Sequence, residues 1–311
     1  MKYNFCVLSE KKVRVDMYLS ALFKDFSRSY IQKLIDRGQV FINWKNISKN
    51  IKINNKDIIE LEIKIEKLSE VLAENIKIHV IYEDENLLII NKEAGINVHP
   101  VPWENWKTWT LVNAILYHCQ NNLPSINWIE RPWIVHRLDK DTSWIILIAK
   151  SDSMMKYLSD IIKTRKIDKY YIAIVNWKIK NTDFKIESFM WRDPNDRMKM
   201  TTISPVNPKI AITYWTVLSY IDNKYTVLKV KIETWRTHQI RVHLASIGFP
   251  ILWDKTYWNV RVNKEMATRY QLKRQALHAF LLDFELYWEK KEFRAELKDD
   301  MKKIIWEDSL F

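Results

Sequence analysis

The stretch Ile145-Ile-Leu-Ile-Ala149 is the feature that most limits how this chain can fold. Five consecutive apolar residues, rich in β-branched side chains and closed by Lys150, read as a buried strand. Just ahead of it lies a charged loop, His136-Arg137-Leu138-Asp139-Lys140-Asp141. A carboxylate and a guanidinium beside a buried strand sit on a rigid ledge with a dry back, where proteins place reacting groups. The same residues also fit a solvated loop whose charges only keep a turn wet.

Charge narrows the class of partner. The 311 residues hold 50 Lys and Arg against 38 Asp and Glu, a net +12 that suits a polyanion, nucleic acid first and an anionic membrane second. No apolar run reaches the ~18 residues that span a bilayer, and Met1 to Glu10 lacks the apolar core of a signal peptide. Cys6 and Cys119 are too few for a disulfide framework and have no zinc spacing. The expectation is a cytoplasmic, monomeric protein that needs no metal and no cofactor. A Rossmann or P-loop reading has no glycine-rich loop to rest on.

Glycine is scarce and tryptophan abundant, 3 against 15. An ordinary chain of this length carries roughly 20 glycines, close to the sum of the two counts. Many tryptophans fall in turn-like contexts such as Asn43-Trp44-Lys45, Thr234-Trp235-Arg236 and Leu252-Trp253-Asp254. Turns of this kind use glycine because it reaches positive φ without steric cost. One reading is that most of these positions are UGA codons of a lineage that reads UGA as glycine. The other is a tryptophan-rich protein that uses aromatic platforms to stack bases. Trp215, in the apolar run Ala211 to Leu218, and Trp306 fit as authentic tryptophans under either.

Along the chain, residues 1–11 read as a lead-in. Val15, Leu19, Leu22 and Phe23 have helical spacing. Ser29 to Gln32 reads as a capping box for a second helix that buries Ile31, Leu34 and Ile35 and stops at Gly38. Short strands follow at 40–43 and 58–65, with a turn between them at Asn43-Trp44-Lys45. Residues 66–75, charged and poor in apolar side chains, read as a linker. Two strands around Glu83-Asp84-Glu85, a helix at 110–118, a helix at 153–166, and strands at 169–175 and 226–232 complete the pattern. His99 and His118 have no acidic partner at a useful spacing, so neither stands out as a ligand or base.

These segments, in order, resemble the RluA/RluD family of pseudouridine synthases. The family's signature loop reads H-R-L-D, two variable residues, then T-S-G; here it is His136-Arg137-Leu138-Asp139, then Thr142-Ser143, with Trp144 in the glycine's place. A second motif, K-x-Y leading into a strand, falls on Lys169 and Tyr171. A third, G-R-T-H-Q-I-R-x-H, falls on Trp235-Arg236-Thr237-His238-Gln239-Ile240-Arg241-Val242-His243. Ile247 to Asp254 and Arg274 to Ala279 are similar to the RluD subgroup. Residues 27–43 are similar to an S4 RNA-binding domain.

The resemblance implies an α+β protein: an S4-like domain at 12–65, a linker at 66–75, and a mixed, mainly antiparallel-sheet catalytic domain at 76–303. It implies isomerisation of uridine to pseudouridine in large-subunit ribosomal RNA. Asp139 would be the catalytic carboxylate, Arg241 its ion-pair partner with Arg236 as the alternative, and Tyr171 the residue at the base. Arg137 would fill the gap left by the flipped nucleotide. His136, Arg236 and His238, with Arg28, Lys33, Arg37 and Lys45 of the S4-like domain, would bind RNA, and Arg192, Arg197 and Lys199 would meet phosphates. A tRNA-directed synthase and a non-catalytic ribosome-assembly factor on the same fold are the alternatives.

Overall fold

The computed structural model describes residues 2–9, 12–23, 28–62, 71–98, 108–120, 123, 133–135, 139, 141–196, 198–203, 208–258 and 270–308. They belong to two compact units that divide at residues 70 and 71.

The first unit is a four-stranded antiparallel sheet with two helices. Its elements are β1 (Lys2–Cys6), α1 (Val15–Leu22), α2 (Arg28–Asp36), β2 (Val40–Ile42), β3 (Lys45–Asn46) and β4 (Ile58–Glu62), with sheet order β1-β4-β2-β3. The expected helix faces pack as predicted from spacing: Val15, Leu19, Ile31, Leu34 and Ile35 are buried with Val40, Ile59 and Leu61. Leu22 departs from that pattern and is exposed, because α1 ends there and the last turn rotates off the core. The stretch read as a lead-in contains β1, which pairs along its whole length with β4. Its alternation of apolar and polar residues is too short to register without a partner strand in view.

Gly38 ends α2 at φ 67°, with Gln39 N donating to Leu34 O and Gly38 N to Ile35 O, the paired bonds of a Schellman motif. Gln32 does not close a capping box: α2 already begins at Arg28, and the Gln32 amide donates to Asp16. Asp16 is fully buried and also accepts from Arg14 and Arg28. Burial pushes its carboxyl up, but the hydrogen bonds from Arg14, Gln32 and Arg28 outweigh that and leave it below the usual carboxylate range.

The second unit is built on a ten-stranded sheet. Its strands are β5 (Val80–Glu83), β6 (Leu87–Lys92), β7 (Ser143–Ala149), β8 (Ile167–Asn176), β9 (Asp183–Arg192), β10 (Met200–Thr201), β11 (Lys209–Ile221), β12 (Tyr225–Ile232), β13 (Leu277–Leu286) and β14 (Glu289–Arg294). The order is β10-β9-β11-β12-β8-β13-β7-β6-β5, with β14 on β13. Every pairing is antiparallel except β7 with β13, so the sheet is mixed and mainly antiparallel. The helices are α3 (Leu111–Cys119), α4 (Asp152–Lys163), α5 (Gln239–Ser246) and α6 (Asp299–Asp308).

The run Ile145 to Ala149 lies in β7, buried at every residue between β6 and β13. The acidic turn before β6 closes when Asp84 accepts from the backbone of Asn86 and Leu87, each at 2.7 Å. Leu111, Ala114 and Ile115 of α3 face inward, and Thr110 with Asn113 forms a capping box. His118 does have an acidic partner, Glu83 at 2.8 Å. It comes from the β5 edge, 35 residues away, where spacing along α3 gives no sign of it. Of the stretch read as a linker, Leu72 and Glu74 hydrogen-bond Asn113 on α3. His99 lies outside the described residues.

Candidate active site

The loop after Asp139 is pinned on both sides. Thr142 N donates to Asp139 O at 3.2 Å, and the Thr142 hydroxyl accepts from Gln275 at 2.6 Å. Ser143 is fully buried and hydrogen-bonds His278 Nδ1 at 2.8 Å, while His278 Nε2 reaches Ala295 O at 3.2 Å. Burial lowers the His278 imidazole to about 4, so it is neutral, accepting from Ser143 and donating to Ala295. The start of β7 is thus locked to β13, which fixes where Asp139 can point.

A second element, α5, also reaches Asp139. Arg241, buried on α5, donates from Nη1 to Asp139 Oδ2 at 2.8 Å. Its other edge forks onto Asp254, Nε to Oδ2 at 2.7 Å and Nη2 to Oδ1 at 2.8 Å, and Nη2 also meets the Thr256 hydroxyl at 2.9 Å. Asp254, fully buried, is oriented in turn by the backbone amides of Thr256 and Tyr257. Two carboxylates therefore share one guanidinium; burial works against its charge, but the hydrogen bonds and attraction of Asp254 and Asp139 outweigh burial and keep it charged. Gln239, at the start of α5, ties the helix to β11 through Ile212 O and Thr213 and accepts from Thr234.

His238 sits at φ 57°, with Nδ1 at 2.7 Å from the Tyr257 hydroxyl and Nε2 at 3.5 Å from Asp139 Oδ1. Its burial outweighs the pull of Asp139, and Arg241 adds to the downward shift, so the imidazole is held below its ordinary range. Tyr171 on β8 is fully buried, and burial with the nearby Asp139 charge pushes its hydroxyl well above the usual phenol range. Among the described residues its hydroxyl has no hydrogen-bond partner. Asp139, Trp144, Tyr171, Trp235, Arg236 and Arg241 line a cavity of about 240 Å3.

Residues from the three sequence motifs thus converge on this cavity. Arg241, not Arg236, hydrogen-bonds Asp139; Arg236 donates from Nε to Ile210 O. His136, Arg137 and Arg197 lie outside the described residues. Arg192 is exposed and Lys199 pairs with Asp196 at 3.6 Å. In the first unit Lys33, Arg37 and Lys45 are exposed, while Arg28 is drawn onto Asp16. Sequence reasoning did not single out Asp254 or Tyr257. The one available signal was a carboxylate directly after the apolar run Phe249 to Trp253, a setting in which an acid is buried only if it is paired. Among the described residues no group of three or more His, Cys, Asp or Glu is placed to hold a metal ion.

An α+β sheet unit with an Arg-paired carboxylate in its cavity, preceded by a small unit with exposed basic residues, has the build of an RNA-modifying enzyme. The RNA pseudouridylate synthase family profile matches residues 86–246, and the S4 domain profile matches residues 13–59. The chain belongs to the RNA pseudouridylate synthase family and carries an N-terminal S4 domain. It is 35% identical over 298 residues to an uncharacterised RNA pseudouridine synthase of Bacillus subtilis (strain 168), covering 95% of this chain and 94% of that one. It is 32% identical over 299 residues to the ribosomal large subunit pseudouridine synthase D of Zymomonas mobilis, covering 94% and 92%. In fold it is similar to human RNA pseudouridylate synthase domain containing 1, with a TM-score of 0.58 at 22% identity, covering 72% of this chain and 85% of that one.

Proposed function

We propose that the protein isomerises uridines of large-subunit ribosomal RNA, with Asp139 as the catalytic carboxylate. The observation that carries this reading is the 2.8 Å pairing of Asp139 with Arg241 inside a cavity that also holds Tyr171. The RluD-named relatives, similar over nearly the whole chain, support ribosomal RNA as the substrate.

The reaction breaks the N1–C1′ glycosidic bond, turns the uracil and forms a C5–C1′ bond. The proton lost from C5 is matched by one gained at N1, so the product is an isomer and no co-reactant is consumed. A stacked uridine is out of reach, so the nucleotide leaves the helix, and Arg137 of the signature loop would fill its place. Asp139 acts on the ribose, as nucleophile at C1′ or as base. Arg241 holds that carboxylate in place for either role. Tyr171, kept as a phenol by burial and the nearby Asp139 charge, stacks on the base or assists removal of the C5 proton. Lys33, Arg37 and Lys45 of the S4 domain bind the RNA backbone, and His136, Arg236 and His238 of the catalytic motifs bind RNA as well. A monomer acting in the cytoplasm fits this role.

The test is tritium release from transcripts labelled at uridine C5, one of large-subunit rRNA and one of tRNA. It is run on the chain, on Trp144→Gly/Trp235→Gly, and on each with Asp139→Asn. Release from the rRNA transcript that Asp139→Asn abolishes is the expected result. Release only from tRNA would move the substrate. Tight rRNA binding with no release from any version would make the protein an assembly factor on a synthase fold.

A further inference from the structure

We infer that glycine is the working residue at most tryptophan positions of this protein, and that Trp144 and Trp235 occupy the space of the target base. The backbone carries the first half of the inference. Trp44, Trp109, Trp133, Trp177, Trp253 and Trp288 have φ of 62°, 60°, 71°, 73°, 60° and 68°. All three glycines, Gly38, Gly95 and Gly248, also have positive φ, at 67°, 86° and 85°. A bulky L-residue in this region is a steric outlier, and glycine is its ordinary occupant.

Two of the six fall in one kind of turn. Asn43-Trp44 joins β2 to β3 and Tyr287-Trp288 joins β13 to β14, each a two-residue loop with both φ positive. That is the type I′ hairpin, whose strongly favoured sequence is Asn-Gly. Burial does not explain an indole there, because Trp44 is 68% and Trp288 93% exposed. Trp215 behaves differently: it lies in β11 outside the positive-φ group and stacks on Phe184 with ring centroids 5.0 Å apart, as an authentic tryptophan should. With 15 tryptophans and 3 glycines in the chain, reading UGA as glycine accounts for both the missing glycines and the strained turns.

The second half concerns the site and rests on the synthase reading. Trp144 and Trp235 lie parallel, 2° between planes and 6.1 Å between centroids, and Trp144 meets Tyr171 edge-on at 4.9 Å. Both line the cavity that holds Asp139. The buried Trp144 indole N–H has no acceptor among the described residues, as is also true of the buried Trp215 indole, so it is its place in the cavity, parallel to Trp235 and edge-on to Tyr171, that sets the Trp144 ring apart. An indole is larger than uracil, and these two take up part of the cavity wall beside Tyr171 and Asp139. Glycine at 144 and 235 leaves a slot beside Asp139 in which a flat pyrimidine can lie against Tyr171.

Peptide mass spectrometry of the protein purified from the cells that make it tests the coding directly and needs no activity. Glycine masses at 44, 144, 235 and 288 are expected; tryptophan masses there would overturn the inference. Trp288→Gly in the recombinant chain should raise the thermal midpoint by about 2–4 °C, and a lowered midpoint would count against it. In the tritium assay Trp144→Gly/Trp235→Gly should release at least ten times faster than the chain with both indoles. Equal release by the two would overturn the pocket half. Glycine masses together with no release from any version would retain the coding and remove the synthase reading instead.

Discussion

Asp254 has no place on the reaction path, yet the geometry predicts that the site depends on it. Asp254→Asn is nearly isosteric and removes one negative charge from a fully buried position. Arg241 loses its fork: Nη2 keeps an acceptor in the amide oxygen, but Nε, now 2.7 Å from an anionic oxygen, would face an NH2 group. Removing one partner of a buried ion pair costs about 3–5 kcal/mol. Asp139 remains as a countercharge 2.8 Å away, which places the loss at the low end, about 3 kcal/mol. For a unit of this size that is roughly 6–12 °C in thermal midpoint. The amides of Thr256 and Tyr257 keep their acceptor, so the turn itself should survive. With its second anchor gone, Arg241 swings towards Asp139 and shifts the carboxylate. A displacement of about 1 Å costs on the order of 100-fold in rate. Scanning calorimetry and single-turnover tritium release, in the same background as the parent, read the two effects separately. Affinity for RNA should hold while the rate falls. A variant melting within about 2 °C of the parent and turning over within about threefold of it would refute the argument that Asp254 positions Arg241.

Tyr171→Phe removes a buried hydroxyl that has no partner among the described residues, so stability should hold or rise by up to about 1 kcal/mol. Its rate should fall by roughly 100-fold or more if the hydroxyl moves a proton, and an unchanged rate would leave the ring alone as the useful part. His243 and His278 are buried, and burial lowers each to about 4 from an unfolded value near 6.5. The unfolded chain therefore binds more protons between those values, so stability present above pH 6.5 is lost as pH falls towards 4. Each should cost about 2 kcal/mol by pH 5, and equal urea midpoints at pH 7 and pH 5 would contradict it. Lys33→Ala and Arg37→Ala in the S4 domain should each reduce the salt slope of RNA binding by about 1. An unchanged slope would remove that face from the interface.

Much of both units is legible because the signals are local. The run Ile145 to Ala149 had to be buried, and Asp139, in the charged loop ahead of it, was singled out by the resemblance of its motif rather than by residue type, which fitted a solvated loop equally. The faces of α2 and α3 followed from spacing, and Gly38 marked a helix end through its freedom at positive φ. What escaped was long-range. β1 is a strand only because β4 offers its edge. His118 looked unpartnered because Glu83 reaches it from another strand. The tryptophan excess was visible in composition, but which positions are turns at positive φ, and which indoles line the cavity with Asp139, depends on how strands far apart in the chain are joined and packed.

By itself the sequence determined the class of chemistry, because three motifs in order and a basic S4 segment are patterns of residue type. Only the tertiary structure decided that Arg241 rather than Arg236 meets Asp139, and that Asp254 holds Arg241 from behind. Those pairings span 102 and 13 residues, and a hydrogen bond depends on the position of atoms to a few tenths of an ångström. That position is set by the packing of α5 against β11 and by the locking of β7 to β13, which no spacing along the chain encodes.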